Sequence, residues 1–370
     1  MNRLVLINSV CGFGSTGKIC ALIAEEYENK GWDVKLAYGR SHHMPEQLKR
    51  FAIQIGTKWD NYFHGLETRL FDRHGYGSKG ATKRFLQWLE EYDPDLLWLH
   101  NIHGYYINFE LLFEWIKRKK NLKVKWTLHD CWPFTGHCVH FSAVNCKQWK
   151  TGCEKCCQKR MYPASYFLDY SHYNYLRKKS AFCDVQDMEI IVPSQWLKNL
   201  VQESYLNKYP ITVMPNPIDR KIFMYRNSDL RKKLGAENKT ILLGVSYIWD
   251  ERKGYNDFLQ LAGMLDDSFV IVLVGLNRKQ KNGLPDNIIG LDRTENQVRL
   301  AELYSAADYF INLSVEETFG MTTLEALACG TRAIVYSDTA CEEVAAQHGG
   351  FIVPKGDIRA VYRFLLEGNQ

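Results

Sequence analysis

The sequence has no long apolar run and only a small excess of charge, and each absence excludes a class of protein. No apolar stretch approaches the roughly 20 residues that a membrane-spanning helix needs. The run at residues 4–7 is too short for the apolar region of a signal peptide, so we expect a first strand there and a cytoplasmic protein. A net charge of +5 over 370 residues is too mild for a dedicated nucleic-acid binder, although it permits contact with phosphorylated substrates or anionic lipid.

Low-complexity segments and internal repeats are also absent. The hydrophobic fraction of 46% with 24% charged residues is typical of a globular protein, and 370 residues suit two domains better than one. Eleven cysteines without an export signal indicate a reducing compartment. The thiols are therefore expected to be buried or metal-bound rather than paired in disulfides.

Strand-like and helix-like patterns alternate along most of the chain. Strands are predicted at residues 4–8, 34–38, 51–55, 96–99, 124–128, 189–192, 241–245, 269–274, 288–291, 309–313 and 333–336. Helices are predicted at residues 18–29, 82–91, 109–119, 255–265 and 296–306, with another beginning near residue 321. This rhythm predicts α/β architecture with parallel, doubly wound sheets.

A stiff connector interrupts the alternation near Pro215 and Pro217, since two prolines in three residues favour an extended hinge. We therefore predict an N-terminal domain at residues 1–213 and a C-terminal domain at residues 214–370, both Rossmann-like. Two such domains would face each other across a cleft at the carboxyl ends of their strands, where ligands bind in these folds.

Two carboxylates stand out in the C-terminal domain. Glu317 and Glu325 are separated by seven residues, one in the loop after a strand and one inside the following helix. The amides of Phe319, Gly320 and Met321 lie between them at a predicted helix N-terminus, which is an anion site. The pattern suits a nucleotide-sugar with its phosphate at the amides, and solvated acids on an ordinary turn are the alternative.

Arg252 and Lys253 follow another strand, 241–245, at the start of a helix. Cations at this end oppose the helix dipole, so their placement indicates a bound anion. A guanidinium and an ammonium suit a diphosphate, whereas a solvated basic pair is the alternative reading.

The loop at residues 12–18 contains Gly-Phe-Gly-Ser-Thr-Gly-Lys and resembles two fingerprints without completing either. A dinucleotide site would need an acid after the second strand, where Tyr38-Gly39-Arg40 stands, and a P-loop would need Ser or Thr in place of Ile19. Gly12 and Gly14 nevertheless allow the backbone to approach a phosphate or sugar closely. A purely structural turn remains the alternative.

Histidines follow two apolar strands of the first domain. His100 and His103 follow the strand at 96–99, and His129 with Asp130 follows the strand at 124–128. A lone histidine is more often structural, but two such strand ends at one sheet edge favour contact with a ligand. Of these histidines we favour His129.

A cysteine-rich segment at residues 131–163 lacks clear periodicity. Cys138, Cys146, Cys153 and Cys156 could hold a structural zinc, which would leave no open position for catalysis. Only one Cys-x-x-Cys pair is present, so a set of reduced thiols fits equally.

The segment Lys117-Arg118-Lys119-Lys120 ends a helix whose other face is apolar. Basic residues at a helix C-terminus are favourable through the dipole alone. Peripheral attachment to anionic lipid is the alternative.

Together these motifs resemble a retaining glycosyltransferase of family 4 with the GT-B fold. The resemblance rests on Glu317-x7-Glu325 with Phe319-Gly320, on Arg252-Lys253-Gly254, on the Pro-Asn-Pro-Ile-Asp connector, on residues 193–197, on His129-Asp130 and on the glycine loop, which span the chain in the family's order. The cysteine-rich insertion with Trp132 and Trp149 resembles a bacterial branch that builds exopolysaccharide, capsule or lipopolysaccharide O-chains.

The resemblance implies roles for these positions. Glu325 would hold the ribose hydroxyls, Arg252 and Lys253 the diphosphate, and residues 319–321 a phosphate through their amides. Glu317 and His129 would contact the donor sugar. An arginine that the family usually carries after the strand at 241–245 is absent, because Ser246 or Tyr247 stands near that place.

The resulting expectation is transfer of a hexosyl unit from a nucleoside diphosphate sugar to a glycan or lipid-linked acceptor, with no cofactor for catalysis. We expect a cytoplasmic enzyme, with peripheral contact at the inner face of the plasma membrane and no nucleic-acid partner. The alternatives are a GT-B sugar-nucleotide epimerase and a zinc-stabilised nucleic-acid-binding protein.

Overall fold

The computed structural model describes residues 1–40 and 44–367. The chain divides into two compact units, with the boundary after Pro215. This boundary lies inside the proline connector, two residues beyond the predicted one.

The first unit is built on a seven-stranded parallel sheet in the order β3-β2-β1-β4-β5-β6-β7. Its strands are β1 (Arg3–Val10), β2 (Asp33–Arg40), β3 (Ala52–Gln54), β4 (Leu96–Leu99), β5 (Lys123–Thr127), β6 (Met188–Val192) and β7 (Ile211–Val213). Its helices are α1 (Gly14–Asn29), α2 (Lys58–Phe71), α3 (Lys79–Tyr92), α4 (Phe109–Arg118), α5 (Ser171–Phe182) and α6 (Gln195–Gln202).

Both faces of this sheet are covered by apolar cores. Ile19 and Ile23 of α1 pack with Leu4 and Leu6 of β1 on one face, and a larger core that includes Val5 and Ile7 of β1 and side chains of α3, α4 and α5 lies on the other. Burial on both faces is the reason why the strands are continuous apolar runs.

The second unit contains a six-stranded parallel sheet in the order β10-β9-β8-β11-β12-β13. Its strands are β8 (Thr240–Val245), β9 (Phe269–Val274), β10 (Ile288–Leu291), β11 (Tyr309–Asn312), β12 (Arg332–Tyr336) and β13 (Phe351–Val353). Its helices are α7 (Leu230–Lys233), α8 (Tyr255–Ala262), α9 (Arg278–Lys281), α10 (Gln297–Ala306), α11 (Met321–Ala328), α12 (Ala340–His348) and α13 (Ile358–Glu367). Two doubly wound parallel sheets of this kind confirm the predicted α/β class.

The cysteine-rich segment forms no α-helix or strand among its residues, as its lack of periodicity predicts. It contains three short 3-10 turns, Trp132–Phe134, Ser142–Val144 and Gln148–Lys150. Within the two described ranges, no helix is both long enough and apolar enough to cross a membrane.

A buried histidine organises the loop that follows α2. His64 is 1% exposed, and its Nε2 accepts hydrogen bonds from the amides of Gly75 at 3.0 Å and Gly77 at 3.3 Å. Because Nε2 is an acceptor, Nδ1 carries the proton and donates to Ser78 Oγ at 2.9 Å. Burial lowers the pKa of His64 to about 3, since a charged ring would lose both amide donors.

This arrangement predicts an acid-sensitive element of stability. The unfolded chain binds a proton at His64 near its ordinary pKa of 6.5, while the folded protein does not until about pH 3. The stabilisation from neutral His64 is therefore fully present above pH 6.5 and is lost as the pH falls toward 3. Each pH unit in this range lowers the free energy of unfolding by about 1.4 kcal/mol. In urea unfolding at several pH values, His64→Gln should show a smaller loss between pH 6.5 and pH 4 than the wild type. Equal slopes would contradict the assignment.

Candidate active site

Two loops of the second unit meet at the carboxyl edge of its sheet because β8 and β11 are adjacent strands. The turn after β8 carries Arg252, and the loop after β11 carries Val315 and Glu316. Val315 donates its amide to the Arg252 carbonyl at 2.9 Å, and Arg252 Nη1 donates to the Glu316 carbonyl at 3.1 Å. These contacts tie the two loops into one structure.

The absence of a side chain at Gly254 allows the turn after β8 to pack closely against the loop after β11. Its φ of 71° is in the left-handed region, and a Cβ there would lie 2.5 Å from both Cβ and the carbonyl oxygen of Leu313. Any larger residue would separate the loops. Glycine after Arg252-Lys253 is therefore a packing requirement that places both cations beside the β11 loop.

The two cations converge on one carboxylate. Lys253 Nζ forms an ion pair with Glu317 Oε2, and Arg252 Nη1 lies 3.9 Å from the same oxygen. All three side chains are about one-fifth exposed, which leaves them accessible but poorly screened. The sequence named these three residues as separate contacts to one ligand, and the structure places them together.

The start of α11 adjoins this cluster. Its N-cap is Gly320, so no side chain caps the first turn, and no acidic residue lies in that turn. The backbone amides and the helix dipole thus present partial positive charge beside Glu317. Phe319, Gly320 and Met321, the residues of the predicted anion site, thus lie at the start of a helix. Their binding of a phosphate stays a prediction.

Gly320 is held in a conformation that only glycine adopts readily. Its φ is 93°, and an added Cβ would lie 2.7 Å from Cys341 Sγ. We expect Gly320→Ala to lower the free energy of unfolding by about 2–4 kcal/mol, combining backbone strain with overpacking. The measurement is urea unfolding.

Gly330 provides the matched control for this prediction. Its φ is 87°, but an added Cβ would meet nothing within 4 Å. Gly330→Ala should therefore cost only the backbone strain, about 1–2 kcal/mol. The double variant Gly320→Ala with Cys341→Ala should recover part of the difference, and equal costs at both glycines would refute the steric argument.

Asn312 at the end of β11 fixes the loop to two helices. Its Nδ2 donates to Thr323 Oγ1 at 3.1 Å and to Cys341 Sγ at 3.2 Å, and its Oδ1 accepts from the Ser314 amide at 3.1 Å. The Glu317 carbonyl also accepts from the amide of Ala340 at 3.2 Å. The position of Glu317 is thus determined by buried contacts that sequence patterns do not show.

Glu325 is oriented by a tyrosine from α10. Tyr304, which is fully buried, donates its hydroxyl to Glu325 Oε2 at 3.1 Å. Burial and the neighbouring carboxylate raise the pKa of Tyr304 well above its usual value, so the phenol remains a donor. Glu325 itself is partly exposed.

Arg293 lies near the position where the expected arginine is missing. Its guanidinium lies 3.5 Å from the centre of the Tyr247 ring, and its Nη2 donates to the Tyr247 carbonyl at 3.0 Å. The sequence offered no signal for it, because it follows a different strand, β10. A cation is therefore present beside Tyr247.

The glycine loop of the first unit leads directly into helix α1, which begins at Gly14. Gly12 (φ 72°) packs against Pro45 and Leu48, whereas Gly14 (φ 64°) has nothing within 4 Å of an added Cβ. Gly12 is therefore required by packing, and Gly14 by its backbone conformation in open space. Contact of this loop with a phosphate or sugar stays a prediction.

His129 is part of a stacked pair. Its Nε2 lies 3.0 Å from His100 Nδ1, and the two rings are 5.3 Å apart at an interplanar angle of 14°. Burial lowers the pKa of His129 to about 4 and that of His100 well below its usual value, so both rings are neutral at neutral pH. His100 is 1% exposed and stacks on Trp98, which indicates a structural role. Donor contact by His129 stays a prediction.

The histidine that the sequence did not favour, His103, forms a His–Asp pair in the first unit. Its Nε2 lies 2.8 Å from Asp130 Oδ2, and the Trp132 amide donates to Asp130 Oδ1 at 2.9 Å. Burial raises the pKa of Asp130, but the charge and hydrogen bond of His103, the Trp132 amide and the charge of His140 together lower it by more, so the carboxyl is ionised. Among residues 1–40 and 44–367, His103 Nδ1 has no hydrogen-bond partner, although it is buried.

The predicted zinc ligands are only partly brought together. Cys138 and Cys156 are hydrogen-bonded to each other, which raises the pKa of Cys138 and lowers that of Cys156. Cys153 instead accepts the Gly136 amide at 3.1 Å. Across residues 1–40 and 44–367, no three His, Cys, Asp or Glu side chains are grouped to hold a metal ion. A zinc site at Cys138, Cys146, Cys153 and Cys156 remains an untested prediction that this geometry does not support.

Comparison with solved structures identifies the fold. The chain is similar to sucrose-phosphate synthase from Thermosynechococcus elongatus, with 16% identity, a TM-score of 0.68 and coverage of 99% of this chain and 90% of that one. It is also similar to Anabaena HepE, solved in complex with UDP-glucose, with 14% identity, a TM-score of 0.66 and coverage of 100% and 90%. Both likenesses, with the two parallel sheets, show the GT-B fold.

Sequence comparison identifies relatives with named functions. WcaC of Escherichia coli (strain K12), a glycosyl transferase named for colanic acid biosynthesis, is 24% identical over 297 residues, which are 78% of this chain and 71% of that protein. A processive diacylglycerol alpha-glucosyltransferase of Acholeplasma laidlawii is 28% identical over 158 residues, 40% of this chain and 47% of that protein.

Family models cover both units of the chain. The Glycosyltransferase Family 4 model matches residues 17–221, more than half of the chain, and the model for glycosyl transferases group 1 matches residues 226–365. The second match contains the complete cluster of Arg252, Lys253, Glu317 and Glu325. The chain therefore belongs to Glycosyltransferase Family 4.

Proposed function

We propose that the protein is a retaining glycosyltransferase that moves a hexosyl unit from a nucleoside diphosphate sugar to a glycan or lipid-linked acceptor in cell-surface polysaccharide biosynthesis. The observation that carries the proposal is the cluster at the β11–α11 loop. There, Lys253 and Arg252 flank Glu317, the uncapped N-terminus of α11 follows, and Tyr304 orients Glu325. One extended donor would use all of these groups.

Each group has a role that follows from its charge. Glu325 accepts hydrogen bonds from the ribose hydroxyls, and the ammonium of Lys253 with the guanidinium of Arg252 neutralises the diphosphate. The α11 amides add donors to the phosphate oxygens, which is preorganised stabilisation of the leaving group. Glu317, released from its ion pair by the diphosphate, accepts a hydroxyl of the sugar ring.

Retention is proposed to proceed on one face of the sugar. The acceptor oxygen forms its bond to the anomeric carbon as the bond from that carbon to the diphosphate oxygen breaks. The hydroxyl proton passes to the departing diphosphate, so no enzyme nucleophile takes part. The relatives named for colanic acid and for diacylglycerol are consistent with glycan and lipid acceptors. Peripheral contact with the membrane would bring the enzyme to a lipid-linked one.

The test is a thermal-shift panel of UDP-, GDP- and ADP-sugars, followed by analysis of the product. A donor that binds the native state raises the unfolding temperature. NMR of the product should show the anomeric configuration of the donor. Absence of stabilisation by every nucleotide-sugar, or an inverted product, would overturn the proposal. Conversion of the donor sugar without an acceptor would favour an epimerase instead.

A further inference from the structure

Helix α2 turns its apolar side outward. Trp59, Tyr62, Phe63 and Leu66 lie at positions i, i+3, i+4 and i+7, which form one face, and they are 70%, 61%, 60% and 40% exposed. The opposite face is polar and buried, with His64 and Thr68 at 1% and 0% exposure. Surface helices of globular proteins show the reverse arrangement.

The aromatic rings on this face contact one another instead of a core. The ring centres of Tyr62 and Phe63 are 5.7 Å apart, and those of Trp59 and Phe63 are 6.3 Å apart. The inward polar groups are satisfied by the loop that His64 holds, so α2 cannot simply rotate to bury its aromatics. The outward apolar face is therefore built into the fold.

The apolar face continues on a neighbouring segment. Tyr166 donates its amide to the Arg69 carbonyl at 2.8 Å, which brings residues 166–173 against the end of α2. We call the combined face the aromatic surface; it comprises Trp59, Tyr62, Phe63, Leu66, Phe71, Tyr166, Phe167, Tyr170 and Tyr173, all exposed. Phe71, Tyr170 and Tyr173 also line an open cavity of about 500 Å³. A contiguous patch of this kind marks an interaction site.

Basic side chains border the aromatic surface. Lys58 and Arg69 are exposed on α2 itself. Lys159 Nζ donates to the Phe167 carbonyl at 3.4 Å. The acids on α2 are engaged locally, since Asp60 closes the capping box with Thr57 and Glu67 pairs with Arg73 at 3.2 Å. Asp169, an exposed acid of the segment 166–173, accepts the Ser171 amide at 3.0 Å. The cations outnumber the acids that have no basic partner, so the border carries a small excess of positive charge.

We propose that the aromatic surface docks the protein on an anionic lipid bilayer. Tryptophan and tyrosine favour the bilayer interface, and a helix lying in that plane buries an apolar face while basic side chains meet anionic head groups. Two copies of the chain joined through this face would bring like charges together, which disfavours a dimer. The inference deepens the proposed function, because it assigns membrane contact to one surface.

The basic helix end at Lys117–Lys120 is a weaker candidate for this role. Lys117 Nζ donates to the Ser180 carbonyl at 2.8 Å, and Lys119 Nζ pairs with Glu90 at 2.7 Å. Trp115, on the apolar face of that helix, is 3% exposed. The helix is therefore partnered within its own unit.

The test is co-sedimentation of the full chain with vesicles of phosphatidylcholine, alone and mixed with phosphatidylglycerol. We expect the wild type to bind the mixed vesicles and the double variant Trp59→Ser with Phe63→Ser to bind at least about tenfold more weakly, because two interfacial anchors are lost. Lys58→Ala with Arg69→Ala should weaken binding by about fivefold per residue, and only on the anionic vesicles. Tyr225→Ser is the matched control, since Tyr225 is 66% exposed on the second unit. It should bind like the wild type.

Several outcomes would overturn the inference. These are no binding of the wild type to either vesicle, equal binding of the Trp59/Phe63 variant, or a wild-type dimer that this variant converts to a monomer. Thermal stability without ligand checks that the variants are folded. Donor-induced stabilisation should be unchanged in the Trp59/Phe63 variant, so failure of docking and failure of the proposed activity are separately visible.

Discussion

Replacing Lys253 by alanine is expected to lower kcat/KM for glycosyl transfer by about 10²–10³-fold, the loss typical for one preorganised group that stabilises charge in the transition state. Its ammonium is the nearest cation to Glu317 and would face the leaving diphosphate. The variant also removes the ion pair of Glu317 with Lys253, while Arg252 stays 3.9 Å away, so a less balanced negative charge remains in the site. Steady-state kinetics with the donor found by thermal shift provide the measurement.

Two further variants make this result specific. Lys253→Arg keeps the charge and should recover part of the activity, although a guanidinium has different geometry. Lys233 forms a surface ion pair with Asp229 at 2.8 Å, and Lys233→Ala should leave activity unchanged. A loss of less than threefold in Lys253→Ala would exclude the diphosphate role.

The second large effect is expected at Glu325. Two hydroxyl groups bonded to a carboxylate contribute about 1.5–3 kcal/mol each, so Glu325→Ala should weaken donor binding by about 100-fold or more. The loss should also be seen for the nucleoside alone, which carries the ribose without the diphosphate. Isothermal titration with nucleoside and nucleoside diphosphate measures both. Lys253→Ala should weaken the binding of the nucleoside diphosphate and leave the affinity for the nucleoside unchanged.

A variant at Tyr304 distinguishes the orientation of the Glu325 carboxylate from its direct contact with the ribose. Tyr304→Phe keeps the Glu325 carboxylate but removes the hydrogen bond that orients it at 3.1 Å, so a loss of about tenfold or less is expected. Glu302, which pairs with Arg299 on α10, provides an acidic control in Glu302→Ala. Unchanged nucleoside affinity in Glu325→Ala would remove the ribose assignment.

Most strands were predictable because parallel strands buried on both faces are continuous apolar runs. The edge strands β7 and β13 were not predicted, since each has three residues and is partly exposed. The predicted ranges 96–99, 269–274 and 288–291 coincide with β4, β9 and β10. Helix α2 was not predicted. Its buried residues are His64, Gly65 and Thr68, so a method that expects apolar side chains on the buried face does not find this helix.

The sequence named Glu317 and Lys253 as candidate site residues but did not reveal their contact. Glu317 and Lys253 are 64 residues apart, and their ion pair follows from the adjacency of β8 and β11, which a single sequence does not reveal. Tyr304 gave no signal because a buried tyrosine on a helix is indistinguishable from a core residue until its hydroxyl partner is known. The same holds for His103, whose partner Asp130 lies 27 residues further along the chain.

The tie between the turn at 250–254 and the loop at 313–320 has a consequence for engineering. Backbone contacts join Arg252 to Val315 and Glu316, and Gly254 packs on Leu313 without room for a Cβ. A donor-loop graft from a relative that exchanges only one of the two segments would misplace the cations and the carboxylate relative to each other. The two segments, 64 residues apart in the chain, form a single exchangeable module and have to be transplanted together.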